Sequence, residues 1–289
     1  MNPDHRKILR SGIDAYLERH DTALEPNDEY LSYDFHYISE AKWCVMVDVM
    51  LKDYLEGITN KLHHWRDMLR SWQAWNDVVA GYDQHAAWFL RRQIIEPLMH
   101  WCLITPSTFR DVMTLVGTNA IHQIRRHTES GYKDHMEGEK TAAEPKPKYL
   151  KKHQKEERLF KLALPLSNSR HFTDALRILD SKAYQTATKE YRNRNSHAFG
   201  PRIALGITQV VTREIVPDTN LDEQPDGTFL KKDVPGRFKT RYGCGGVHPL
   251  DPERARDANL EQYRLTRKCF DHLTSFLAEH AAKLPRANA

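Results

Sequence analysis

Residues 42–72 read KWCVMVDVMLKDYLEGITNKLHHWRDMLRSW, and this stretch sets the fold class. Trp43, Val47, Met50, Leu51, Tyr54, Leu55, Ile58, Leu62, Trp65, Leu69 and Trp72 follow one another at steps of one, three or four. That spacing is one continuous apolar stripe, on one very long helix or on two with a slight break near Gly57. Working outward, Ile8, Leu9, Ile13, Tyr16 and Leu17 mark a shorter helix before the turn-like Glu25-Pro26-Asn27-Asp28. Further helices are expected over about 83–103 and 107–126, with Ser107 after Pro106 as N-cap. All six Trp lie between residues 43 and 101, a distribution that reads as aromatic core packing.

The second half changes character twice. Residues 129–158 hold 15 charged residues and no Ile, Val, Phe or Trp. Such a segment buries too little surface to offset its ordering entropy, so a mobile, charged loop or linker is expected there. Phe172, Leu176 and Leu179 then give a helical face, and Ser181 caps a helix expected to run to about Asn193. Ile207-Thr208-Gln209-Val210-Val211-Thr212 is rich in β-branched residues, Pro225-Asp226-Gly227 is turn chemistry, and Phe238 to Tyr242 can pair back. A small β-hairpin insertion is expected over about 205–244. Asp251-Pro252-Glu253 opens a last helix whose stripe runs from Leu260 through Tyr263, Leu265, Cys269, Phe270 and Leu273 to Leu277. The expectation is a mainly α protein, an elongated helical bundle with one β-hairpin. Its parts are an N-terminal helical region (1–128) belonging to the same bundle, the loop (129–158) and a C-terminal helical region (159–289).

Composition removes several classes. The net charge of +4 is too small for a histone-like polyanion binder. Cys44, Cys102, Cys244 and Cys269 form no Cys-x-x-Cys pair, which argues against a zinc ribbon, a redox motif or a disulfide scaffold. No two of the 16 His stand four apart, and no Glu stands three before a His, so neither a zincin nor a di-iron bundle site is expected; no metal and no cofactor follow. The N-terminus lacks the apolar core of a signal peptide, and Ala41–Leu51 is too short and too charged to span a bilayer. The expected setting is cytoplasmic, with no membrane.

One stretch carries chemistry: Tyr191-Arg192-Asn193-Arg194-Asn195-Ser196-His197-Ala198-Phe199-Gly200. Arg241/His248 and Arg267/His272 have comparable Arg-to-His spacing, but only Arg192 is followed by Asn at the end of an amphipathic pattern. In Arg267/His272, five helical positions turn the side chains about 500°, leaving them about 140° apart. From Asn168 to Arg213, eight basic residues oppose three acids, a local charge of +5 that suits a phosphate backbone. The bland alternative is a solvated helix face with Arg192 bonding carbonyls at the helix end.

Arg192-Asn-Arg-Asn-Ser-His197 resembles the Arg-x4–6-His motif of the HEPN superfamily, the higher eukaryote and prokaryote nucleotide-binding domains, with the match carried by about 170–200. The resemblance implies a HEPN-like helical bundle and a metal-independent endoribonuclease of a toxin or phage-defence setting, with RNA as substrate. It implies catalytic roles for Arg192, His197 and Asn193, and substrate contacts from Lys189, Arg194, Asn195 and Arg202. It also implies a homodimer with a composite active site, because one His cannot act as acid and base at once, and an antitoxin or regulatory partner. Two other readings stand beside it: a HEPN-like module that binds nucleotide, RNA or a partner without cleaving, and a helical scaffold in which the Arg/His pair is accidental.

Overall fold

The stripe that opens the sequence becomes helix α3, Val47–Ala80, unbroken at Gly57. Leu51, Leu55, Ile58, Leu62, Trp65, Leu69 and Trp72 are buried along it, at the spacing the period requires. Trp43 lies outside the helix, because Met46 adopts a left-handed conformation (φ 71°) at its start. Trp43 Nε1 instead donates to the Ile38 carbonyl at 2.8 Å. The computed structural model describes residues 2–21, 29–140 and 146–287, so the expected turn at Glu25–Asp28 lies outside the described residues. The chain forms two compact units, Met1–Thr188 with Pro252–Ala289, and Lys189–Asp251. These boundaries differ from the expected division at 128 and 158.

In the first unit, α1 (Pro3–His20), α5 (Glu96–Thr128) and α10 (Pro252–Ala281) pack against α3, while α6 (Lys152–Ala163) and α7 (Ser169–Ile178) cover α5 and α10. Short helices α2 (His36–Glu40), α4 (Gln84–Leu90) and α8 (Lys182–Ala187) complete it. Trp65, Trp72 and Trp75 are buried as expected of core aromatics, whereas Trp88 is exposed beneath the Arg92 guanidinium.

The helix break expected at Pro106 does not occur. α4 passes through a π-helical turn (Arg91–Ile95) into α5, and Pro106 sits inside α5. Proline has no N–H, so the Cys102 carbonyl four residues earlier loses its helical partner. Asn259 of α10 replaces it: its Nδ2 donates to the Cys102 oxygen at 2.8 Å and its Oδ1 accepts from Trp65 Nε1 at 2.8 Å. Asn259 Nδ2 also lies 2.8 Å from the Tyr184 hydroxyl of α8, and Asn259 has no exposed surface. Ser107, expected as an N-cap, is a buried helical residue whose hydroxyl accepts from Lys152 Nζ at 3.1 Å.

The charged segment 129–158 carries structure at both ends. Lys152–Arg158 are the first turns of α6, which buries Glu156 and Leu159. Arg110 of α5 grips the Glu156 carboxylate with Nε and Nη2, both at 2.7 Å, and donates a third bond to the Leu179 carbonyl at 2.8 Å. This fork binds both carboxylate oxygens at once. At the other end, buried His122 meets the Tyr132 hydroxyl through Nδ1 and the Asp134 carboxylate through Nε2, both at 2.9 Å. A neutral imidazole accepting from Tyr132 and donating to Asp134 satisfies both ring nitrogens. That bond, with Arg126 2.7 Å away, holds Asp134 below the usual carboxylate range.

The second unit contains α9 (Tyr191–His197) and an antiparallel hairpin of β1 (Val211–Glu223) and β2 (Phe229–Cys244). Gly227 (φ 82°) supplies the turn, and Asp226 accepts from the Thr228 N–H and hydroxyl at 2.9 and 2.7 Å. The strands start later and run further than their β-branched core suggests. This is the single sheet among the described residues, so the protein is mainly α with one hairpin. Among them, no helix is long and apolar enough to cross a membrane.

Two stability outcomes follow. Asn259→Leu strands the Trp65 N–H and the Cys102 carbonyl, at about 1–3 kcal/mol for each group left unsatisfied, while the Tyr184 hydroxyl keeps its bond to the Leu103 carbonyl at 3.3 Å. Urea unfolding is expected to show a loss of at least about 2 kcal/mol; a loss under about 1 kcal/mol contradicts the bonding described. Burial raises the Asp180 carboxyl above its ordinary range, against the opposing pull of Lys152. A raised carboxyl disfavours the folded state once ionised, so this cost is absent at low pH and grows as pH rises through the folded pKa. Asp180→Asn is therefore expected to raise the melting temperature at pH 7 and to lose that advantage below about pH 4.

Candidate functional site

The helix expected to run from Ser181 to Asn193 is two helices. Ser181 caps α8 as read, its hydroxyl accepting from the Tyr184 N–H at 3.4 Å. After Thr188, Lys189 (φ 53°) and Glu190 (φ 54°) both adopt left-handed conformations, each costing about 1–2 kcal/mol. The geometry is held from within the second unit. Lys189 Nζ donates to the His248 and Pro249 carbonyls at 3.1 and 2.7 Å. The ammonium expected to contact substrate is thus engaged by two backbone oxygens.

α9 presents the motif. Tyr191 is buried, Arg194 is half-buried, and Arg192, Asn193, Asn195, Ser196 and His197 are exposed. Arg192 stands at the second position and donates from Nη1 to Asn193 Oδ1 at 3.2 Å, away from the helix-end carbonyls of the bland reading. Arg194 and His197 occupy the last turn, where positive charge complements the helix dipole. Asn195 Nδ2 donates to the Tyr191 carbonyl at 3.1 Å, and its side chain fills the space that a Cβ on Gly200 would need. Gly200 is therefore a packing requirement of the turn after α9, and its carbonyl accepts from the Thr208 hydroxyl at 3.0 Å. Arg202 is exposed, with its stem against Gly206. Its backbone carbonyl accepts from the Leu250 N–H at 2.8 Å.

Both Arg192 and His197 lie inside α9, so the rotation of about 140° that separates Arg267 from His272 separates them as well. One α9 directs the guanidinium and the imidazole to different sides. What distinguishes the pair is charge. Arg241 is ion-paired to Glu214 at 2.7 Å, and Arg267 stabilises the Asp271 carboxylate. His272 stacks on His171 with ring centres 5.7 Å apart. Arg192 alone of the three bonds a neutral side chain, with no carboxylate on it among the described residues. Also among them, no group of three or more His, Cys, Asp or Glu is placed to hold a metal ion.

No known family, curated protein or solved structure matches the chain. The site stands on its own residues. Spacing in the sequence could not reveal the capture of Lys189, since its acceptors lie about 60 residues away and are backbone atoms.

Because Arg192, Asn193 and His197 face solvent, Arg192→Lys, Asn193→Ala and His197→Ala are each expected to change unfolding free energy by no more than about 0.5 kcal/mol. A larger loss by chemical denaturation would assign these side chains a structural role.

Proposed function

We propose that this protein is a metal-independent endoribonuclease of HEPN type, cytoplasmic, and cleaving RNA by attack of the ribose 2′-hydroxyl on the adjacent phosphorus. The observation that carries the reading is the solvent-facing Arg192–Asn193 pair on α9, with no carboxylate on its guanidinium among the described residues, on the same seven-residue helix as exposed His197. Imidazole is the side-chain group suited to proton transfer in either direction near neutral pH. One imidazole takes the proton from the 2′-oxygen as it bonds to phosphorus. A second gives a proton to the departing 5′-oxygen, leaving a 2′,3′-cyclic phosphate and a 5′-hydroxyl. The Arg192 fork stabilises the charge on the non-bridging oxygens of the pentacovalent phosphorus.

The divergence of Arg192 from His197 by about 140° supports a composite site. In a two-fold homodimer, a second α9 supplies the imidazole that one helix cannot bring to the other side of the phosphate. Asn193 orients the guanidinium, and Arg194, Asn195 and Arg202 offer contacts to flanking phosphates. A toxin or defence role, with an antitoxin or regulatory partner, rests on the motif's resemblance alone.

The test is incubation of the full chain with total RNA in excess EDTA. Cleavage is expected to persist, to give 2′,3′-cyclic phosphate ends, and to fail at a 2′-deoxy linkage. His197→Ala is expected to slow it about 10²–10⁴-fold, and Arg192→Lys to impair it because a point charge lacks the guanidinium fork. Cleavage abolished by EDTA overturns the mechanism. Binding of RNA without cyclic-phosphate ends assigns the motif to a non-catalytic nucleotide-, RNA- or partner-binding module, and the absence of binding assigns the chain to a scaffold.

A further inference from the structure

The four cysteines differ in what surrounds them. Cys102 and Cys269 are fully buried, and burial pushes both thiols up, so neither offers a thiolate near neutral pH. Cys244 is exposed at the end of β2. Cys44 is half-buried, and its Sγ lies 3.7 Å from His127 Nε2. The other ring nitrogen, Nδ1, lies 2.9 Å from the Gln123 carbonyl. A carbonyl can only accept, so Nδ1 carries a hydrogen and Nε2 is left to take the thiol proton. A nucleophile, a base within reach of it and a third group orienting that base are the parts of an activated thiol.

The pair is held by its surroundings. Cys44 immediately precedes the first turn of α3, its carbonyl accepting from the Val47 N–H at 3.1 Å, and the Lys42 N–H donates to the Pro285 carbonyl at 2.7 Å. His127 lies in the last turn of α5, where positive charge complements the helix dipole. Trp43, bonded to the Ile38 carbonyl, meets the His127 ring edge-on with centres 6.1 Å apart. The approach is open, since the next two residues, Val45 and Met46, are 92 and 63% exposed. One turn before His127 on the same side of α5, Gln123 Oε1 is buried without a hydrogen-bond partner. An unfilled buried acceptor is costly, and an amide N–H on an incoming molecule can fill it.

We propose that Cys44 is a thiol–disulfide exchange site for a small peptide-like disulfide, with His127 as its base. The thiol passes its proton to Nε2 while Sγ attacks one sulfur of the disulfide. The S–S bond of that disulfide breaks, a new one forms to Cys44, and the departing thiolate takes the proton back from the imidazolium. Cys44 is oxidised and the departing thiol reduced, so no further oxidant enters. One thiol suffices for this exchange, and no Cys-x-x-Cys pair is required. The inference is independent of the ribonuclease reading and uses none of its residues.

Glutathione disulfide is the probe, added to the full chain and followed by intact mass and peptide mapping. At about pH 6, Cys44 is expected to react faster than Cys244, although Cys244 is the more exposed thiol. An unassisted thiol reacts through its thiolate and slows about tenfold for each pH unit below its pKa, and Cys244 serves as that reference. Cys44 is expected to slow by less than about fivefold over the same unit, because the imidazole takes its proton. His127→Phe keeps a ring against Trp43 and removes the acceptor. It is expected to slow Cys44 by about tenfold or more and to give it the pH slope of Cys244, with Cys244 itself unchanged. A mere change in access would scale the rate equally at every pH, so the slope separates the two. Hydroxyethyl disulfide, which has no amide, is expected to favour Cys44 over Cys244 less than glutathione disulfide does. The proposal is overturned if Cys44 stays unmodified while Cys244 reacts, or if both show one slope in the wild type. It is equally overturned if His127→Phe leaves the Cys44 rate and slope unchanged, or if both disulfides show the same preference. Should His127→Phe fail to fold, the two wild-type slopes decide alone.

Discussion

Asn259 is the constraint on which the helical unit depends. Its amide is fully buried, where an unpartnered polar group costs about 1–3 kcal/mol, and its nitrogen and its oxygen are both bonded. The Trp65 indole of α3, the Cys102 carbonyl of α5 and the Tyr184 hydroxyl of α8 converge on this one side chain of α10. Leu, Ile or Phe could fill the same volume, but none could serve both the orphaned carbonyl at Pro106 and the indole N–H. Apolar burial drives these helices together, while the amide fixes their registers relative to one another. Arg110 performs the corresponding task on the other side of α5, tying Glu156 of α6 and the Leu179 carbonyl at the end of α7 to one guanidinium.

Those two hubs also mark where the sequence was readable. A stripe repeated over about six turns leaves little freedom, so α3 was visible from Leu51 to Trp72, and the helix-opening Pro252-Glu253 likewise announced α10. Pro106 was misleading for a definite reason. The rule that proline ends a helix is local, and the compensating donor stands 157 residues after the Cys102 carbonyl it serves. The charged segment after Glu129 was misjudged at its ends for a similar reason. Glu156 and Asp134 look like solvated acids until Arg110, His122 and Arg126 are brought to them by folding.

At the candidate site, residue types were legible and directions were not. Arg192, Asn193 and His197 are exposed, which the catalytic reading and the solvated-face reading both require. The break at Lys189 and Glu190 was invisible, since neither residue favours the left-handed region on its own. That break makes α9 a separate short helix, and the same geometry diverts the Lys189 ammonium to backbone carbonyls.

The Lys189 bonds bear on how the two parts of the helical unit are joined. The helical unit is discontinuous: its chain leaves at Thr188 and returns at Pro252. As an unfolded loop, the intervening segment would impose a closure entropy of about 4 kcal/mol on the joining of α8 to α10. Once folded, the segment brings its own ends together, with Lys189 bonded to His248 and Pro249 and Ile203 bridged to Leu250. Residues 189–251 are contiguous and emerge from synthesis before α10. In the folded protein the inserted unit thus holds its own entrance and exit together, so the link from α8 to α10 is closed within the segment itself.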